Sequence, residues 1–337
     1  SEWQRLLGME SVGAGLPEFR PGCGSKSVEP GMPERLALQF GPKVLKAREI
    51  DTAELEDPIE ACFERGWSDG LPVVPPTPLR VTRMLMGTSR DPAEVIGHVP
   101  PDLQPCTVEK AAINAVMAGC KPEYLPVVIA ALEGALQEAF CMHGLLATTW
   151  FSGPMLIVNG PVSRAINMNS GGNALGQGNR ANATIGRALQ LIIRNVGGGR
   201  PGGVDRSTLG NPGKYTFCFA EDESNPCWEP LSVERGFDEG TSTVTLFAAD
   251  GIQGLADQKS REPESLCRSF ATAMLCVGHP KFAFMSDAFV VMSPEHQRVF
   301  TDAGWGKQQV IDRIMELTTR PGSELMPGVD GMAEGMP

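Results

Sequence analysis

The chain reads as an α/β protein, a mixed or parallel sheet flanked by helices, with an extended N-terminal arm. Three observations predict this. Helical apolar periodicity alternates with short β-rich runs, the pattern of strands separated by covering helices. Three helix starts are written as a capping residue followed by proline, at Asp57-Pro58, Thr77-Pro78 and Ser293-Pro294. Proline suits the first helical position because its missing N–H would be unpaired there in any case. Finally, 337 residues with 42% hydrophobic content are enough to bury a substantial core.

Taken in order, residues 1–50 form the arm, where LPEFRPGCGSKSVEPGMPERL is dense in glycine and proline and lacks apolar periodicity. Such arms often wrap a neighbouring subunit, so a homo-oligomer is expected, with a partly ordered tail as the alternative. Residues 51–325 form the α/β core, divisible into two subdomains, and 326–337 a flexible tail. Helices start at 58 and 78. TVEKAAINAVMAG then predicts a helix capped by Thr107, with Glu109 in its first turn and Gly119 as its stop. Leu125, Val128, Ile129, Leu132 and Leu136 carry the same periodicity into the next helix. In FCMHGLLATTW a strand is expected after His143, with Thr148 and Thr149 at its far end. Further strands are predicted at 154–159, 214–220, 242–250 and 282–292. Between the first two of these, Ile185, Leu189, Ile192, Ile193 and Val196 make one buried helix face.

Charge and cysteine usage narrow the partners. A net charge of −11 without a basic run argues against nucleic acid, which needs clustered Lys and Arg. No apolar run approaches the roughly 18 to 20 residues that cross a bilayer, and SEWQRLLGMES lacks the pattern of a secretory signal. Nine cysteines without a CxxC exclude the usual zinc-ribbon and thioredoxin motifs and fit a cytoplasmic chain with reduced thiols.

The segment NSGGNALGQGNRANATIGRALQLIIRNVGG, from Asn169 to Gly198, is the strongest candidate for chemistry. It has no GK[ST] and so is not a Walker A loop. GQGNRA matches G-x-G-x-x-A, but no strand leads directly into it and the next acid is Asp205, against a dinucleotide fingerprint. No cofactor is named by the sequence. What remains is a helix N-terminus near Asn179 or Asn182, with unpaired N–H groups and partial positive charge. Glycines allow close approach; Asn169, Asn173, Asn179 and Asn182 add amides, and Arg180 a fixed cation. Together they suit a small carboxylate, nitro group or other oxyanion. Taken singly, each asparagine is better explained as a left-handed turn residue or a helix cap; only the constellation favours a ligand.

His143, beside Cys141, is the acid/base candidate, with a hydrogen-bonded structural histidine as the alternative, and Cys23, Cys120 or Cys141 is the candidate nucleophile. No spacing among the histidines marks a metal site. Glu221, Asp222, Glu223 and Glu229 offer oxygen ligands for a divalent cation or, more simply, a solvated loop after a strand.

The runs TVEKAAINAVMAGCKPEYLPVVIAALEGAL, HGLLATTW, VNGPV, GGNALGQGNRANATIGRA, GKYTFCFAEDE, WEPL and SPEH resemble the bacterial companion proteins of the UGSC-motif (seleno)proteins, over residues 60 to 320. The resemblance implies a protein acting with or near a thiol- or selenol-bearing partner. Its runs map onto Glu109, Lys110, Asn114, His143, Thr148, Thr149, Asn159, Asn173, Asn179, Arg180 and Asn182. Cys23-Gly24-Ser25 echoes UGSC, but Lys26 stands where the final cysteine would be. The expectation is an enzyme, or the substrate-binding subunit of one, acting on a small polar or anionic molecule by bond cleavage or redox chemistry. An assembly subunit of a thiol- or selenol-dependent complex and a metal-dependent hydrolase or lyase are the alternatives.

Overall fold

The structure, a computed structural model, describes residues 45–53, 55–224, 227–277, 281 and 287–333. Most of the predicted arm, with Cys23, lies outside the described residues.

The proline-led helices form as the sequence dictates. α1 (Pro58–Glu64), α2 (Pro78–Leu85) and a later helix (Pro294–Asp302) each begin under a side-chain cap: Asp57, Thr77 and Ser293 accept from the N–H groups of Ile59, Arg80 and His296. A short hairpin follows α2, in which β1 (Val95–Val99) pairs antiparallel with β2 (Gln104–Thr107). α3 (Val108–Ala118) starts where Thr107 accepts from Lys110 N–H, and stops at Gly119, whose φ of 93° is left-handed. α4 (Leu125–Ala135) and α5 (Met142–Ala147) complete the first helical layer.

The sheet is small. β3 (Gly153–Asn159) lies at its centre, parallel to β4 (Cys218–Ala220) and antiparallel to β5 (Thr243–Ala249). Every residue of β3 is buried, which explains why its sequence is an unbroken apolar run rather than an alternation. Leu156 and Val158 face the main core, with α3, α4 and α7 (Arg180–Asn195). Met155 and Ile157 face a second layer with Phe219, Leu231 and Ala249, flanked by Phe247 and Phe289. Two short helices, α6 (Pro161–Ala165) and α8 (Leu231–Glu234), follow β3 and β4. On α7, Ile185, Leu189 and Ile192 are at most 1% exposed, each contributing about 1.5–3 kcal/mol of burial. Gly186 lets α7 close onto β4: a Cβ there would meet Phe217 N at 2.9 Å and Cys218 Cβ at 3.1 Å. A separate core of Leu266, Cys267, Phe270, Phe300, Val310 and Ile314 joins α9 (Pro263–Leu275), α10 (the Pro294 helix) and α11 (Lys307–Thr318).

Three sequence expectations are corrected. The strand expected after His143 is helix α5, because Cys141 adopts a left-handed φ of 50° that ends one turn and starts the next. The strand expected over 214–220 shrinks to Cys218–Ala220, since Asn211 caps a 3-10 turn at Pro212–Lys214. Residues 287–292 have no regular secondary structure, and 282–286 of that expected strand lie outside the described residues. Among the described residues, no single helix is long and apolar enough to cross a membrane.

Candidate functional site

The asparagine loop is built largely from its own amides. Asn169 N–H donates to Asn182 Oδ1 at 3.0 Å, and Asn182 Nδ2 returns bonds to Asn169 O (2.8 Å) and Ala174 O (3.1 Å). Asn169 also bridges Gly171 N–H and Gly172 O. Asn173, in the left-handed region at φ 60°, donates to Gln177 O. Asn179 is the N-cap of α7, accepting from Asn182 N–H at 3.0 Å and donating to Asn167 O at 2.7 Å. The expectation of amides turned toward a ligand is therefore not how this loop is arranged. An asparagine beside a flexible glycine backbone closes a turn on itself more readily than it waits for a ligand. The backbone of Gly171, Gly172, Gly176 and Gly178 stays exposed, as does Arg180, whose Nε donates to Gly119 O at 2.9 Å.

What the loop adjoins is the carboxyl edge of the sheet. Cys218 is level with Leu156 and packs against Gly186, whereas Gln190 lies beside Gly153, so α7 runs antiparallel to β3. Its start is thereby brought to the edge where β3 and β4 end. There Asn159 is 0% exposed. Its Nδ2 donates to Glu221 Oε2 at 2.5 Å and to Glu223 Oε1 at 2.8 Å, while its Oδ1 is buried without a partner. Glu223 also accepts from Gly160 N–H and faces Arg164 at 3.4 Å; Glu221 accepts from Leu231 N–H at 2.9 Å. Thr243, the cross-strand partner of Asn159, has a buried hydroxyl that is likewise unpaired. Hydrogen bonds from Ser163 Oγ to Gly160 O and from Met168 N–H to Ser163 O join this cluster to the asparagine loop.

Of the four acids flagged in the sequence, Glu221 and Glu223 turn inward while Asp222 and Glu229 are exposed. Their pairing with Asn159 was not anticipated. The available signal was their position, directly after a strand.

The remaining candidates are dispersed. Glu109 is buried and accepts from the N–H groups of Lys46 (2.9 Å) and Ala47 (3.0 Å), pinning the incoming chain to the first turn of α3. Lys110 Nζ donates to Pro105 O, and Asn114 links Lys110 O to Asn195 Nδ2. Each of these three is tied into the α3 layer, Glu109 and Asn114 as buried groups and Lys110 as a half-buried one. Cys141 and His143 are exposed on α5, just before the opposite end of β3. Seven strand residues put that end roughly 20 Å from Asn159. The expected joining of His143 and Cys141 with the asparagine loop is thus not seen. Thr148 Oγ1 accepts from Trp150 N–H, and the carbonyl of Thr149 holds Thr208. Cys120 is buried, donates to Thr184 O at 3.3 Å, and burial pushes its thiol up to about 12, which keeps it from acting as a thiolate at neutral pH.

Among the described residues, no group of three or more His, Cys, Asp or Glu is arranged to hold a metal ion. Compared with known families, curated proteins and solved structures, the chain shows no match.

Proposed function

We propose that this chain is an enzyme, or the substrate-binding subunit of one, that handles a small polar or anionic molecule at the carboxyl edge of the β3–β4 pair. The observation that carries the reading is Asn159, fully buried, with its nitrogen held by two carboxylates and its oxygen unpaired. A buried acceptor without a donor costs about 1–3 kcal/mol, which a donor group on a ligand would recover. Open α/β sheets gather ligands outside the carboxyl ends of their strands. Glu221 and Glu223 supply carboxylates for proton transfer. Arg180 and the start of α7 offer positive potential to an acidic group on the same molecule.

The resemblance to companions of UGSC-motif proteins adds a partner. Its thiol or selenol would supply the nucleophile; of this chain's own candidates, Cys120 is buried, Cys141 stands near the other end of β3, and Cys23 lies outside the described residues.

The test is a thermal-shift screen of the whole chain against small amino acids, carboxylates and amines. A stabilising compound should lose about tenfold in affinity in Glu221→Gln and Glu223→Gln, and keep it in Asn173→Gly. A panel without any stabiliser, or a hit indifferent to both glutamate changes, would overturn the reading.

A second reading, an assembly subunit, draws support from apolar surface. Leu209 is 87% exposed and Trp150 42%, on segments tied together by Thr208 and Thr149. Light scattering with Leu209→Ser distinguishes it, since an assembly surface would release smaller species.

A further inference from the structure

We propose that Gln190, Arg194 and Arg200 form a binding site for a small oxyanion, a carboxylate or phosphate group, independent of the carboxyl-edge site. Arg187, Gln190 and Arg194 fall at i, i+3 and i+7 and make one polar stripe on α7. Arg187 is settled. It holds Asp69 through two bonds of 2.8 Å and reaches Leu71 O and Pro72 O. The other two are not. Gln190 Nε2 and Arg194 Nε are both buried, and neither has a partner. Both are donors, one helical turn apart, and a guanidinium cannot accept, so a partner shared by them must be an acceptor.

Charge makes the same demand. Among the described residues, neither Arg194 nor Arg200 has a side-chain hydrogen bond or ion pair. Burial first, and then the nearby Arg200, lower the proton affinity of Arg194. Of the carboxylates close by, Asp69 is committed to Arg187 and Asp205 to Lys214 at 3.0 Å, while Asp102, exposed against Gly198, makes no ion pair with either arginine. Arg200 Nη1 lies 3.6 Å from where a Cβ of Gly66 would be, so the loop carrying Trp67 and Asp69 walls the site. Water satisfies an N–H but does not neutralise the half-buried Arg194 beside the exposed Arg200. An oxyanion answers both, and planar guanidinium forks match carboxylate and phosphate oxygens two at a time.

The experiment is calorimetric titration of the whole chain with phosphate, succinate and chloride at matched ionic strength. Saturable binding of phosphate or succinate, but not chloride, is expected, and which of the two binds identifies the group. Arg194→Met should weaken binding about tenfold or more and, in anion-free buffer, melt no lower than wild type, because it removes a half-buried charge whose buried Nε has no partner. Gln190→Glu supplies an internal carboxylate to Arg194 and should abolish binding while raising Tm. Binding no better than chloride, unchanged affinity in both variants, or a Tm several degrees lower for Arg194→Met without anion would overturn the proposal.

Discussion

The two ends of α7 use polar residues in opposite ways. At its start, Asn169, Asn173, Asn179 and Asn182 close on neighbouring backbone, and the loop needs nothing from outside. Further along, half-buried Gln190 and Arg194 each keep one buried nitrogen unmatched. The first end is rich in amides and self-sufficient; the second is sparse and incomplete. Abundance of polar side chains marks a well-made turn. Unmatched valence marks a place where something else belongs.

The comparison can be broken or sharpened by mutation. The largest effect is expected at Asp69, the one carboxylate among the described residues that is matched to the polar stripe. Asp69→Ala leaves a largely buried guanidinium with only the carbonyls of Leu71 and Pro72, and should lose about 3 kcal/mol in urea denaturation at pH 7. Burial alone would raise the Asp69 carboxyl, but Arg187 outweighs it and holds it below its ordinary value. That contribution is complete above the ordinary carboxylate pKa and lost as pH falls through the lower folded value, so wild type and variant converge only in acid. A small loss at neutral pH would mean that the stripe is well hydrated, and the contrast would fail.

Next, Asn159→Ala removes the donor shared by Glu221 and Glu223 and should cost about 2–3 kcal/mol by the same measurement. Asn179→Ala removes the cap of α7 and should cost about 1 kcal/mol, whereas Arg180→Ala should stay within about 0.5 kcal/mol. Equal losses at both would mean the loop depends on its cation and is not self-contained. The smallest effect belongs to Glu264, which Arg313 holds at about 2 from an ordinary 4.5. Its support is present above pH 4.5 and fades as pH falls toward 2. Glu264→Gln should therefore flatten the stability profile across that window only, and less so in high salt.

Much of the scaffold was legible because its signals are local. Asp57, Thr77, Thr107 and Ser293 each cap the helix they announce, and Gly119 ends one. The face of Ile185, Leu189 and Ile192 is buried as its spacing requires. The β1–β2 hairpin was not legible, because its connection runs through Pro100-Pro101 and a left-handed Leu103, which read as loop. Nor was α5, whose six residues are too few for periodicity to separate helix from strand. The candidate site was harder still. Asn159 meets Glu221 and Glu223 across more than sixty positions, a pairing set by strand order rather than spacing. Whether an asparagine faces its own backbone or a ligand depends on tertiary geometry, and the residue type is the same in both cases.

The bare backbone at Gly186 fixes the azimuth of α7. Because the helix touches β4 there without a side chain between them, it has no freedom to roll, and the direction in which Arg194 points is set some 12 Å away, eight residues along the axis. A methyl group at that contact would turn the whole rod and swing the guanidinium off its bearing while leaving every residue around it unchanged.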